Sequence, residues 1–414
     1  SLQQTAANPF AIALGDPKTG SDRINLGGSI NSFGTTIGPI ILSLALFGAV
    51  GEITASKIDT LNLNNVVVLY SVVGVLFVLA AAIFFFSKKV PACIQESKVE
   101  TSNKALWLFF IITLLLLFFM VPVFNSYKSE GATLLGTENL DMNRMYCLVG
   151  AFSVVIIALL FAHTKAKKDN TGWGALQYPQ LVLGLIALFL YVGVEVAIGS
   201  NMGELLSKPE FGGYSAAQIS PFISMYWGGL MIGRWAGAVL VFDLKKPVKI
   251  LALILAPVLA FLVVLGVNTL AGHDMSILYY FILCVAVQIV AFIVCQGKPA
   301  MSLFVFAIIA ITAMIIGLSS TGMVAVYAFL SGGLFCSIMW SNIYTMATLG
   351  LGKYTSQGSS FLVMMILGGG IIPPIQGKLA DIIGIHNSYI IPIICFSYIA
   401  AFAVFAKRIL KKQN

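Results

Sequence analysis

Charge is what this sequence has least of. Of its 414 residues, 10% are Asp, Glu, Lys or Arg, where a water-soluble domain carries about a quarter. So few charges cannot solvate the surface of a chain this long. Histidine is almost missing too: His163, His273 and His386 lie far apart, and no two have the short spacing that a metal site uses. Six cysteines (Cys93, Cys147, Cys284, Cys295, Cys336, Cys395) are scattered without paired spacing. They read as small buried apolar residues and not as a disulfide framework. There is no glycine-rich phosphate loop and no GxSxG elbow. No metal or cofactor is expected, and the clustered acid, base or ligand set of a membrane-embedded enzyme is lacking.

What fills the chain instead is apolar residues, 59% of the total. Runs such as "NNVVVLYSVVGVLFVLAAAIFFF" and "LWLFFIITLLLLFFMVPVF" recur along it, and about 20 such residues cross a bilayer as helix. The fold class expected is an all-α polytopic membrane protein. Its spans are expected at 26–50, 64–87, 105–124, 144–163, 178–199, 217–242, 250–268, 277–295, 300–318, 322–345, 357–378 and 388–407. Alternate connections then collect 19 of the 24 basic residues, among them Lys18, Lys88, Lys165, Lys245, Lys298, Lys353 and Lys407. The other side keeps Lys57, Lys128, Arg144, Lys208 and Lys378. Positive loops stay cytoplasmic, so the net charge of +8 sets topology, with the C-terminus inside. Membrane lipid is the implied partner, nucleic acid is not, and a monomer in the inner membrane is expected.

The opening "SLQQTAANPFAIALG" resembles the end of a helix more than a signal peptide or a charged tail, and the chain is expected to continue a longer protein. A shift of 334 places Asn8 on Asn342, Gly34 on Gly368 and Pro39 on Pro373. Each copy reads as a helix end, a basic glycine-containing loop, and a helix bearing glycine and proline. Repeats in one orientation are what the two halves of a major-facilitator transporter show. If the copies are equivalent, three helices and part of a fourth precede Ser1. The division expected is then 1–88 for the remainder of an N-terminal half, 89–170 for an inserted hairpin, and 171–414 for a C-terminal half with one further inserted hairpin.

The segments "QTAANPF", "NSFGTTIGP", "YVGVEVAIGS", "YWGGLMIGRWAG" and "GLFCSIMWSNIYTMATLGLGKYTSQGSSFLVM" resemble the fucose/galactose/glucose:proton symporter family of the major facilitator superfamily. The resemblance covers 1–50, 187–240 and 330–400. It implies import of a monosaccharide with a proton by alternating access. It also implies sugar contacts at Gln4, where some members carry glutamate and others glutamine, and at Asn31. The family's proton-linked carboxylate lies on a first helix that has no counterpart here. Cys336 stands where members often have asparagine, and "WSN" at 340–342 where many have "WPT".

Glu195 is the one acidic residue placed well inside a span. A carboxylate there costs about 2.5–3.5 kcal/mol on insertion scales, so it should face a partner or a wet cavity. It is the candidate for binding sugar hydroxyls, for carrying the proton, or for both, unless it makes a structural hydrogen bond to a neighbouring helix. Gln4 and Asn8 share a helical face, and amides both donate and accept, as sugar hydroxyls do. Asn342 is the counterpart of Asn8 by the repeat and a weaker sugar candidate, with Trp340 and Tyr226 as rings for the sugar's apolar face. Interhelical glue or core packing is the plainer role for each of these amides and rings. Gly34 and Gly38 are expected to pack closely against another helix or to serve as a hinge. Arg234 is expected as a gate or latch, paired with Asp243 or with helix carbonyls, or as ordinary positive-inside anchoring. "LGGGIIPPIQG" at 367–377 can bend as a hinge or pack tightly. The rivals to sugar symport are a symporter for a nucleoside or amino sugar, and a sensor or scaffold that keeps the fold without transport.

Overall fold

The computed structural model describes residues 2–15, 19–47, 63–87, 101–128, 135, 139–295 and 297–413. Lys18, Lys57, Lys88 and Cys93 lie outside these residues. Among those described, every regular element is helical. In chain order they are α1 (Leu2–Ala13), α2 (Gly20–Phe47), α3 (Leu63–Phe86), α4 (Asn103–Asn125), α5 (Leu140–Lys168), α6 (Pro179–Ser207) and α7 (Ala216–Val239). Then come α8 (Lys246–Leu270), α9 (Ile282–Cys295) and α10 (Pro299–Ser319). The next membrane segment, α11, is broken into Gly322–Leu330, Gly332–Cys336 and Met339–Thr348. Segment α12 consists of Thr355–Met364 and Gly368–Ile383, joined by a tight turn, and α13 is Ile390–Gln413.

Eleven of these segments are long and apolar enough to cross a membrane. The twelfth expected span, 217–242, is α7. Its 24 residues reach about 36 Å at 1.5 Å per residue, so length is not what it lacks. Gln218, Ser220, Ser224, Arg234 and a series of glycines dilute its apolar character, and several of these face polar partners.

Helix α6 is apolar on all sides, the pattern of a helix surrounded by others. It packs against α7, α11, α12 and α13 and is the axis of the described bundle. Small residues let the backbones approach. A Cβ on Gly193 would press into Ile372 of α12, and one on Gly368 would lie 2.7 Å from the carbonyl carbon of Phe189. Gly34 and Gly38 behave otherwise: among the described residues a Cβ on either would meet nothing within 4 Å. The expectation of close packing at these two glycines is overturned, because the C-terminal half of α2 diverges from its neighbours. The expectation of tight packing holds at Gly368, the counterpart of Gly34.

The repeat has a spatial correlate. Helix α1 packs on the Thr355–Met364 part of α12, and α2 packs on the Met339–Thr348 part of α11. The first element of one copy meets the second of the other, and the reverse, as an approximate two-fold axis requires. The Ser359 hydroxyl donates to the Thr5 carbonyl at 3.1 Å, and the Ser341 hydroxyl to Asn25 Oδ1 at 2.6 Å.

The hairpin of α4 and α5 lies against α12. Lys378, nearly buried, places its ammonium 2.8 Å from Asp141 of α5 and 2.6 Å from Asp381 on its own helix. Arg144 donates to the Ser126 hydroxyl and carbonyl, each at 2.7 Å, and lies over the Tyr127 ring. Outside the spans, donors from Thr171 and the nearby Lys104 hold the Asp169 carboxyl below the usual carboxylate range.

Candidate substrate cavity between helices α2, α6 and α7

Helix α2 touches α7 along its N-terminal half and leaves it along the rest. Gly28 sits against the Arg234 side chain, and Asn25 against Gly237. Beyond Ser32 most of α2 is exposed. A cleft results, closed at one end and open at the other. It holds a cavity of about 480 Å³ walled by α2, α6 and α7, within the 300–1,000 Å³ usual for small-molecule sites.

The polar lining of α2 is a helical stripe. Asn31, Thr35 and Pro39 recur at intervals of four, with Ser32 and Thr36 beside them, and all five line the cavity. From α6 comes Glu195, and from α7 come Ser224, Trp227 and Arg234. Side chains tilt toward the N-terminal end of their helix. Glu195 therefore leans along α6 toward the level reached by Arg234 near the C-terminal end of the antiparallel α7. Their ion pair spans 3.6 Å, with side-chain exposures of 12% and 19%. These exposures matter, since a pair so shielded is not screened as surface pairs are.

Arg234 holds three elements at once. It meets Glu195 of α6, donates to the Ser32 hydroxyl of α2 at 2.6 Å, and donates to the Ser337 carbonyl of α11 at 3.4 Å. The expected pairing with Asp243 is corrected here: Asp243 lies beyond the end of α7, whereas Arg234 points sideways into the cleft. Its alternative, a helix carbonyl, is found.

The expected sugar residues divide. Asn31 and Glu195 share the cavity. Gln4 is exposed on α1 and is not among the residues lining it. Asn8 and Asn342, the repeat-related pair, also lie outside its lining, yet each keeps a buried side-chain Nδ2 without a partner among the described residues. The Thr345 hydroxyl is in the same state. Tyr226 takes the plainer of its expected roles: it is fully buried and its hydroxyl donates to the Glu195 carbonyl at 2.6 Å. The ring facing the cavity is its neighbour Trp227, 42% exposed. Trp340 stacks on Tyr344, with ring centres 6.4 Å apart, and is not in the cavity lining. Ser32, Thr35, Thr36 and Trp227 were not anticipated. The four-residue spacing in "NSFGTTIGP" was the readable signal for the first three.

Comparison with known proteins fits this geometry. No protein-family model matches the chain. It is 28% identical over 410 residues to a glucose/galactose transporter of Brucella abortus (strain 2308), covering 99% of this chain and 69% of that protein. It is 24% identical over 403 residues to the L-fucose-proton symporter of Escherichia coli (strain K12), covering 97% and 68%. A crystal structure of the E. coli fucose:proton symporter matches with a TM-score of 0.59 at 20% identity, covering 97% of this chain and 73% of that one. The helical bundle with its central cleft is thus a multi-pass membrane protein with the major facilitator fold. Over nearly its whole length the chain is similar to proteins named as a glucose/galactose transporter and an L-fucose-proton symporter, which are transporters and not enzymes.

Proposed function

We propose that the protein moves a monosaccharide of the glucose/galactose or fucose class across the inner membrane together with a proton, by alternating access. Its C-terminus faces the cytoplasm. The observation that carries this reading is the shared cavity of Asn31, Glu195 and Trp227, closed at its base by the Arg234 tie. Asn31, with its paired donor and acceptor, is suited to adjacent sugar hydroxyls. Trp227 offers a flat apolar face to the C–H surface of the ring. Glu195 accepts hydroxyl hydrogen bonds when ionised, and when protonated it releases its hold on Arg234. Arg234 bridges α2 to α6 and α11, so weakening that bridge loosens the closed end of the cleft. Each ligand shifts the balance of conformations only by its differential affinity for them.

In this reading the amides of Asn8 and Asn342, unpartnered among the described residues, extend the sugar path beyond the cavity, and Gln4 contributes at a different stage of the cycle. The division into 1–88, 89–170 and 171–414 belongs to the same proposal.

Binding of labelled galactose to the purified chain, with glucose, fucose, a nucleoside and an amino sugar as competitors, tests the substrate class. Asn31→Ala and Trp227→Ala are expected to weaken sugar binding at least tenfold. In a full-length version in proteoliposomes, Glu195→Gln is expected to impair proton-driven accumulation while sparing sugar counterflow. Unchanged accumulation and pH dependence would remove Glu195 from coupling. Binding without any counterflow would favour a sensor.

A further inference from the structure

A second cavity, of about 380 Å³, lies between α10 and α13 at the end where α13 carries its basic residues. Its walls are apolar along the span: Met301 and Phe304 from α10 and Val404 from α13. Its mouth is basic, formed by Lys407, Arg408 and Lys411. The spacing makes this one continuous strip, because Val404 and Arg408 are four apart, as are Lys407 and Lys411. Among the described residues no carboxylate pairs with any of the three cations. Met301 and Phe304 are each more than a third exposed, which in a membrane helix means exposed to lipid.

We infer that this groove is a binding site for one anionic diacyl phospholipid, whose phosphate sits among Lys407, Arg408 and Lys411 and whose acyl chain lies along Met301, Phe304 and Val404. Charge complementarity selects the occupant. Three cations with no protein counter-ion attract an anion, and basic pockets between membrane helices on the cytoplasmic side bind anionic headgroups. The apolar walls select against a small soluble anion, which would leave Met301 and Phe304 without contact. The long basic side chains can bury their methylene stems along the groove and keep their charges at headgroup level. Because α10 and α13 pack together along their lengths, a lipid seated here would brace the two helices at the membrane surface.

The test is retention of phosphatidylglycerol and phosphatidylcholine by the whole purified chain in mild detergent, counted by native mass spectrometry. The wild type is expected to retain phosphatidylglycerol at least tenfold better than phosphatidylcholine. Lys407→Gln/Arg408→Gln/Lys411→Gln is expected to lose that preference. Val404→Trp, which fills the groove and leaves every charge in place, is expected to lose the bound lipid. Equal retention of the two lipids by the wild type overturns the proposal without recourse to any variant. Unchanged retention in Val404→Trp overturns it as well, since surface charge alone would then suffice. Complete displacement by millimolar inorganic phosphate would make it a free-anion site and refute the lipid.

Discussion

Alanine at Gly368 and alanine at Gly34 should move stability in opposite directions, although the repeat relates the two positions. Neither glycine has a left-handed backbone conformation, so alanine is not strained locally at either. At Gly368 the added Cβ would lie 2.7 Å from the carbonyl carbon of Phe189, and closer still to its oxygen, while ordinary contact begins at 3.4 Å. Helices α6 and α12 must therefore part by at least 0.7 Å (3.4 − 2.7) at that carbon. The obstacle is backbone, which cannot rotate away as a side chain can. Overpacking of this kind costs about 1–3 kcal/mol, and the separation also loosens Gly193 against Ile372. At Gly34 nothing among the described residues lies within 4 Å, so the intrinsic helix preference of alanine, about 1 kcal/mol over glycine, is all that acts. Thermal unfolding in detergent, followed by a thiol-reactive dye, reads the difference, since Cys295, Cys336 and Cys395 are buried in the folded chain. Gly368→Ala should melt several degrees lower, and Gly34→Ala at or slightly above the wild type. Equal losses at both positions would refute the account of α2 as diverging from its neighbours.

Arg234→Met leaves the carboxylate of Glu195 shielded without its cation, a change that costs about 3–5 kcal/mol. The double variant with Glu195→Gln should lose less than the two single losses added, measured as a double-mutant cycle on the melting temperature. Lys378→Met should cost about 1.5–3 kcal/mol from its charged hydrogen bonds, less where solvent reaches the exposed Asp141 and Asp381. Its effect should shrink when Asp141 is already asparagine. Asp169, held low by Thr171 and Lys104, contributes stability above the ordinary carboxylate range that is lost as pH falls through its lowered value. Asp169→Asn should therefore flatten the acid limb of a stability–pH curve and leave the neutral region little changed.

Much of the architecture was legible because the bilayer imposes it. A spanning segment must be helical and about 20 residues long, so apolar runs locate helices directly. Glu195 was legible for the same reason, since a carboxylate is costly at that depth, whereas Asn31 was legible mainly through the resemblance. Helix rotation was not legible. Tyr226 and Trp227 are adjacent, and one residue turns the helix by about 100°. Both rings lie near Gly199 of α6, where an added Cβ would come 2.9 Å from Tyr226 and 3.2 Å from Trp227. Tyr226 is fully buried, with its hydroxyl on the Glu195 carbonyl, while Trp227 also lines the cavity. Nor could spacing alone separate Gly34 from Gly368, since one glycine contact depends on a partner far away in sequence.

The partner of Arg234 carries the same lesson further. Along the chain, Asp243 is its nearest carboxylate, and Glu195 is 39 residues away (234 − 195). In space the order reverses. The tight connection between α6 and α7 makes them antiparallel neighbours, so residues well before and well after the turn come level with each other. Ser32 joins from α2, 202 residues from Arg234. Removing the Arg234 cation would thus release contacts in three helices at once. One side chain shared by elements so distant in sequence ties the walls of the cavity to the closed end of the cleft.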